Sequence, residues 1–310
     1  MKTSALLLAA TALLAVTAAS GQPAGMMPQY QTDSLGNGLY AFRYGPYRNI
    51  FVVGENGVIV TDPLSAAAAV ALELEIRKVT DKPVTYVAYS HSHWDHAVGG
   101  TIFKEAGARF VAQENCRENI RETPHADLVE PDIVFRDRYR IDAGNASLEL
   151  FWFGPSHSDC LSVMLARPAN VIFIVDIANP PSGWNKAYNP TLPDTYLHNL
   201  PRYLAAVEKL AADHGVTTIV GGHISLGRGA GSRPFLQPAT GPISAVTEQR
   251  EFWETVIGAV RAELARGTPT EQVADAIAGS AFEAKIANYD RAEMAILYRV
   301  VASYVRAGRP

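Results

Sequence analysis

Residues 84–100 read VTYVAYSHSHWDHAVGG, and this stretch decides the fold. Val84 to Tyr89, introduced by Pro83, is an apolar run of β-branched and aromatic residues that predicts a buried strand. It runs into His91-Ser92-His93-Trp94-Asp95-His96, which packs three of the chain's eight histidines and an aspartate into one short turn. Side chains alternate in extended chain, so His91 and His93 project to the same side and both imidazoles can meet one cation. Asp95 and His96, just past the turn, can aim at a second cation. Imidazole with carboxylate suits zinc, and iron or manganese where carboxylate is plentiful. Gly99-Gly100 then frees the backbone to turn into a following helix.

Working outward, Asn49 to Val53, a Gly54-Glu55-Asn56-Gly57 turn and Val58 to Thr61 predict a β-hairpin ending in Asp62-Pro63. A helix over Ser65 to Val79 follows, rich in Ala, Leu and Glu. The same order recurs downstream. Leu161 to Ala166, a turn at Arg167 to Asn170, and Val171 to Val175 predict a second hairpin, ending in Asp176. A helix over about 194–213 and a strand over Val216 to Val220 then deliver Gly221-Gly222-His223. Hairpin, aspartate, helix, strand, histidine thus occurs twice. Both copies bring their acid and imidazole to the carboxyl ends of apolar strands, where α/β folds place ligands. The expectation is an α/β protein with two halves and four layers, helices outside and two sheets inside.

The flanks are simpler. Lys2, the apolar stretch Ala5 to Ala19 and the small residues Ala18-Ala19-Ser20 read as a signal peptide over 1–20, cut after Ser20. Its apolar run is short for a bilayer span, and no second run is long enough. The mature protein is therefore expected to be soluble, in the periplasm or secreted. Residues 21–37 read as a leader, 38–226 as the main domain, 227–243 as a Gly- and Pro-rich linker, and 244–310 as a wholly helical extension. Within the extension, Thr268 is the expected N-cap of a helix with Pro269 in its first turn. Cys116 and Cys160 could pair in an oxidising compartment; equally, Cys160 could be a thiol beside a metal or a small buried hydrophobe.

The chain's 310 residues, 48% hydrophobic and 19% charged, have the composition of an ordinary globular protein. A formal net charge of −4 without any long basic run offers nucleic acid no electrostatic footprint. A small-molecule substrate is the expected partner, and no pattern selects an oligomeric state.

The His-x-His-x-Asp-His string resembles the signature of the metallo-β-lactamase superfamily, and the resemblance extends over roughly residues 38–225. Gly154-Pro155-Ser156-His157-Ser158-Asp159 resembles the family's third motif, Phe173-Ile174-Val175-Asp176 its fourth and Gly221-Gly222-His223 its fifth. Ile59-Val60-Thr61-Asp62 is similar to an early family strand that ends in a buried aspartate supporting the ligands. The resemblance implies a four-layer αββα sandwich with two Zn2+ per chain, iron or manganese being possible alternatives. His91, His93 and His157 would hold the first ion, Asp95, His96 and His223 the second, with Asp176 bridging. Many members have glycine before the bridging aspartate, whereas this chain has Val175. His125, His198 and His214 match no motif and read as ordinary core or surface residues.

The implied chemistry is hydrolysis. Water on zinc ionises with a pKa of roughly 7 instead of 15.7. Asp95 would orient that nucleophile and pass its proton to the leaving group. His96 immediately after Asp95 separates the chain from the lactamase branch that uses a cysteine ligand. The irregular segment 177–193 adjoins Asp176 and carries Trp184, Lys186 and Tyr188, which could wall a pocket, hold a carboxylate and donate to an oxyanion respectively. The expected activity is opening of a small carbonyl substrate: a β-lactam, a lactone or another ester. Two other readings remain open, a di-iron oxidoreductase of the same fold and a metal-binding accessory protein without turnover.

Overall fold

The computed structural model describes residues 28–181, 184, 196–228, 234–287 and 289–308. Its first half contains β1 (Tyr30–Gly36), β2 (Leu39–Tyr44), β3 (Tyr47–Gly54), β4 (Gly57–Thr61), α1 (Ala66–Val79), β5 (Val84–Ala88), α2 (Trp94–Ala97), α3 (Thr101–Glu105), β6 (Arg109–Gln113), α4 (Glu114–Glu122) and β7 (Ile133–Phe135). The second half contains β8 (Arg138–Asp142), β9 (Ser147–Trp152), β10 (Ser162–Arg167), β11 (Val171–Ile174), α5 (Leu200–His214), β12 (Thr218–Gly221), β13 (Leu226–Arg228), β14 (Pro234–Leu236) and β15 (Thr240–Pro242). Among the described residues, three further α-helices follow: α6 (Ser244–Ala265), α7 (Val273–Ile277) and α8 (Arg291–Ala307).

Alternation along the first hairpin builds the layers. Ile50 and Val52 of β3 and Ile59 of β4 join Leu148, Leu150 and Val163 in the core between the two sheets. The intervening Phe51, Val58 and Val60 pack instead with Ala68, Leu72 and Ile76 of α1 and Phe103 of α3. Each such large side chain contributes about 1.5–3 kcal/mol on burial, so a one-residue slip that exchanged the two sets would be heavily penalised. The first sheet runs β1-β2-β3-β4-β5-β6-β7 and the second β15-β12-β11-β10-β9-β8. In β10 the successive residues Val163, Met164, Leu165 and Ala166 are all fully buried, because both faces of that strand are covered. Tyr203, Leu204 and Val207 of α5 and Phe252, Trp253 and Val256 of α6 supply the outer cover. The molecule is an αββα sandwich.

The predicted hairpins are β3–β4 and β10–β11, both antiparallel. Each is succeeded by a helix and a strand parallel to the hairpin's second strand: β5 beside β4, and β12 beside β11. Ser65 caps α1, its Oγ accepting from Ala68 N at 3.2 Å. The helix before β12 begins at Leu200 and ends on Gly215, whose φ of 63° suits a residue without Cβ.

Three boundaries differ from the sequence reading. Residues 30–36 of the expected leader are β1, which pairs with β2 and closes the edge of the first sheet. Among its described residues the expected linker is largely paired backbone: β13 pairs with β14, and β15 adds to β12. Its glycine content reflects packing as well as turns, since a Cβ on Gly241 would lie 2.3 Å from Pro180 Cβ. The helical extension is interrupted, with 3-10 turns at Thr270–Gln272 and Ala281–Lys285. Thr268 caps no helix; its hydroxyl donates back to Glu263 Oε2 at 2.9 Å, and the first turn begins after Pro269. Residues 1–20 lie outside the described residues. Among the described residues no helix is long and apolar enough to cross a membrane.

Candidate metal centre

The mouth of the sandwich is where the strand ends deliver their polar residues. The end of β5 passes into Ser90 and His91, α2 carries Asp95 and His96 with His93 at its N-cap, the β9–β10 connection carries His157, Asp176 lies two residues past β11, and His223 two residues past β12. Two groups result. His91, His93, His157 and Asp176 bring ligand atoms within 4.8 Å of one another, as do Asp95, His96 and His223. Asp176 touches both. Its Oδ2 lies 3.2 Å from His91 Nε2 and 3.3 Å from His157 Nε2, while its Oδ1 lies 2.6 Å from His223 Nε2. All seven sequence-nominated ligands therefore converge, and Asp176 stands between the two groups.

The electrostatics suit cations. His91 is fully buried, and burial together with neighbouring His93 holds it well below its ordinary pKa. His96, equally buried, is pushed down to about 4, burial again leading. These imidazoles are neutral near pH 7 and present lone pairs. Burial alone would raise Asp176, but His157, His96 and His223 outweigh it and hold the carboxyl well below the usual range. Ring nitrogens also face each other: His157 Nε2 lies 3.1 Å from His93 Nδ1, and His96 Nε2 lies 3.1 Å from His223 Nε2. Such pairs repel unless a proton or a cation sits between them. His91 Nε2 is buried without a hydrogen-bond partner, a state that costs roughly 1–3 kcal/mol and that a metal would relieve. Five imidazoles and two carboxylates form a donor set that fits zinc or iron.

Supporting residues set the ligands' orientation. Ser90 Oγ lies 2.9 Å from His91 Nδ1, so a proton there leaves Nε2 free to ligate. Asp62 is fully buried; its Oδ1 accepts from Ser90 N at 2.7 Å and its Oδ2 faces His96 Nδ1 at 4.0 Å. Burial pushes Asp62 up to about 8. That placement behind His96 is the supporting position expected of it, although 4.0 Å exceeds hydrogen-bond length.

Three contributors lie outside the site residues that the sequence nominated. Tyr47, at the start of β3, packs edge-on against His96 and His223 with centroids 5.6 and 5.1 Å away. Arg48 is buried, and its Nη1 donates to the carbonyls of Gly221 and His223 at 2.9 and 2.7 Å. Both lie far from His223 in the chain, so no local pattern could reveal them. The third is the bond between Cys116 of α4 and Cys160, which resolves the open question of their pairing. Of the expected loop residues, Trp184 is buried against Phe252 of α6 at 5.9 Å, with Lys285 Nζ 5.0 Å over its ring. It thus packs on the C-terminal helices. Lys186 and Tyr188 lie outside the described residues. His125 is an exposed neighbour of Trp94, and His214 pairs with Arg167, both apart from the cluster.

Asp95 is the most open ligand candidate, its side chain 45% exposed. Beside it Trp94 is 51% exposed, an unusual state for so large an apolar side chain. The mouth of the site thus pairs an accessible carboxylate with an apolar surface.

Residues 43–112 match the model of the metallo-beta-lactamase superfamily. Among solved structures, a metallo-beta-lactamase from Pontibacter korlensis superposes with a TM-score of 0.59 at 16% identity, covering 73% of this chain and 99% of that one. The DIM-1 metallo-beta-lactamase superposes with a TM-score of 0.58 at 13% identity, covering 74% and 98%. The 2,4-dinitroanisole O-demethylase subunit alpha of Nocardioides sp. (strain JS1661) is 25% identical over 136 residues, which span 42% of this chain and 40% of that relative.

Proposed function

We propose that this chain, whose residues 43–112 match the metallo-β-lactamase superfamily model and whose fold is that of metallo-beta-lactamases, is an exported dinuclear zinc hydrolase acting on a small carbonyl substrate. The substrate class is a β-lactam, a lactone or another ester. One observation carries the reading: the two oxygens of Asp176 reach into two separate groups of imidazoles. A single-metal or purely structural cluster has no need of a carboxylate shared in that way.

His91, His93 and His157 would hold one ion, and Asp95, His96 and His223 the other, with Asp176 between them. When bound, zinc acidifies a water and polarises a carbonyl oxygen. The chain's own residues do the rest. Ser90 orients His91 from behind, Asp62 faces His96 at 4.0 Å, and burial of His91 and His96 keeps those rings neutral. Asp95, half open to solvent, can accept a proton from the attacking water and return it to the leaving group. Trp94 offers the apolar portion of a substrate a surface beside that carboxylate. Export is supported by the N-terminal apolar run and by a fully buried disulfide, which belongs to an oxidising compartment.

A second reading, a di-iron oxidoreductase, is favoured by the partial likeness to an O-demethylase subunit and by a donor set that iron also accepts. Metal analysis separates the two. Protein beginning at residue 21 should carry about two zinc ions per chain, hydrolyse members of a lactam, lactone and aryl-ester panel, and lose turnover in His93→Ala. Iron in place of zinc, with no hydrolysis across the panel, would favour the oxidoreductase.

A further inference from the structure

We propose that α4 is a brace that positions His157 at the first metal group, acting through the Cys116–Cys160 disulfide and Asn119. The inference rests on the reading of the cluster as a two-ion centre. The need for a brace arises from topology. His91 and His93 leave the end of β5 in the first sheet, whereas His157 lies between β9 and β10 of the second. Among the described residues no strand pairing joins the two sheets here, and Ser162 N donating to the Ser90 carbonyl at 2.8 Å ties β10 to the end of β5 without reaching the segment that carries His157. Yet His157 Nε2 and His93 Nδ1 are 3.1 Å apart, and sites held more than about 0.5 Å from their working geometry lose function.

One face of α4 meets both segments. Asn115, Cys116 and Asn119 share that face by helical spacing. Cys116 is bonded to Cys160, three residues after His157, and both sulfurs' residues are fully buried. Asn115 Nδ2 donates to the Asp159 carbonyl at 3.2 Å. Asn119 Nδ2 donates to Asp159 Oδ1 at 2.7 Å and to Ser92 Oγ at 3.3 Å. Ser92 stands between His91 and His93, and Asp159 is two residues beyond His157. A single amide thus spans the two ligand-bearing segments, and the disulfide keeps its helix in place. Trp152 Nε1 adds a bond to the Asp159 carbonyl at 2.9 Å from the strand side.

The second group is supported differently. Asp62 lies behind His96, while Arg48 holds the carbonyls of Gly221 and His223. Loosening α4 should therefore weaken one group and spare the other. A disulfide that served only global stability would not discriminate between them.

The test uses metal-free protein beginning at residue 21, titrated with zinc and with cobalt(II) against a competing chelator, with thermal midpoints recorded in parallel. His157→Ala and His223→Ala assign the two binding steps. Asn119→Ala and the double variant Cys116→Ala/Cys160→Ala are then compared with the parent chain. Expected is a loss of roughly tenfold to a hundredfold at the His157 step, with the His223 step unchanged and the first cobalt spectrum altered. Asn119→Ala, which keeps the disulfide, decides the matter if the double variant does not fold. Equal loss at both steps, or a lowered midpoint with neither step changed, overturns the brace. A parent chain that takes up fewer than two ions overturns the two-ion reading itself, and the brace with it.

Discussion

Gly222→Ala is the most informative small change the structure offers. Gly222 precedes His223, and Val175 precedes Asp176; the two ligands meet at 2.6 Å. A Cβ on Gly222 would stand 2.7 Å from Val175 Cγ1, 2.9 Å from Cγ2 and 3.1 Å from Cα. Neither backbone can yield easily. Gly222 N donates to the Ile174 carbonyl at 3.0 Å, its own carbonyl accepts from Arg48 N at 2.7 Å, and Val175 is 1% exposed. One methyl group therefore acts as a wedge between two ligand-bearing chains. Overpacking of this kind costs about 1–3 kcal/mol. Val175→Ala alone removes two buried carbons, about 1.6 kcal/mol before any cavity cost. In the double variant the wedge meets fewer atoms, so the loss should fall short of the sum by about 0.5–3 kcal/mol. Relief will be incomplete, because the 3.1 Å approach to the Val175 Cα persists. Urea unfolding of the four metal-free proteins gives the stability cycle, and metal content after reconstitution gives its consequence at the His223 group. Strict additivity of the two single changes would refute the reasoning, since it would mean that Gly222 and Val175 do not press on each other.

Arg48→Ala removes the donor to two carbonyls beside His223; each buried acceptor left unpaired costs about 1–3 kcal/mol, so a clear drop in urea midpoint is expected together with weaker metal binding at the His223 step, and an unchanged midpoint would count against its clamping role. Asp176→Asn and Asp62→Asn should differ in kind. Asp176→Asn is expected to abolish uptake of the second ion, whereas Asp62→Asn should keep two ions with affinity lower by roughly tenfold to a hundredfold. Equal stoichiometry in both variants would sink the distinction between a shared ligand and a supporting one. Asparagine is the right probe, because Asp62 and Asp176 both have positive φ, 33° and 63°, which asparagine tolerates better than alanine.

Much of this is legible in the sequence because it is written locally. The run from Val84 to His96 holds a strand, a turn and four donor residues in close succession, and the two hairpins are bounded by clear turn residues. The rest is written across the chain. Tyr47 and Arg48 look like any strand residues until β3 is laid beside the end of β12, and Asn119 looks like any helical surface residue until α4 meets Asp159. The Gly- and Pro-rich stretch before α6 has the composition of a linker, yet backbone pairing to β12 governs part of it. A glycine signals a turn only when nothing presses on its α-carbon; at Gly241 Pro180 does.

The doubled order of hairpin, aspartate, helix, strand and histidine also underlies the proposal of two ions, not one, at this mouth. Each half ends its second hairpin strand in an aspartate forced to positive φ, Asp62 in the first and Asp176 in the second. A non-glycine residue held there costs of order 1–3 kcal/mol, and such positions persist where the surrounding structure over-determines them. In the first half the turn tucks its carboxylate behind the cluster, where Ser90 N binds one oxygen and His96 faces the other. In the second half the equivalent carboxylate points forward and meets His91, His157 and His223. The same local device therefore yields one carboxylate behind the cluster and one that stands between its two candidate groups. The strand neighbouring each aspartate differs: β5 runs into a histidine-rich turn that sets His96 before Asp62, while β12 runs into two glycines packed closely on Asn179 and Val175, and the His223 that follows them meets Asp176.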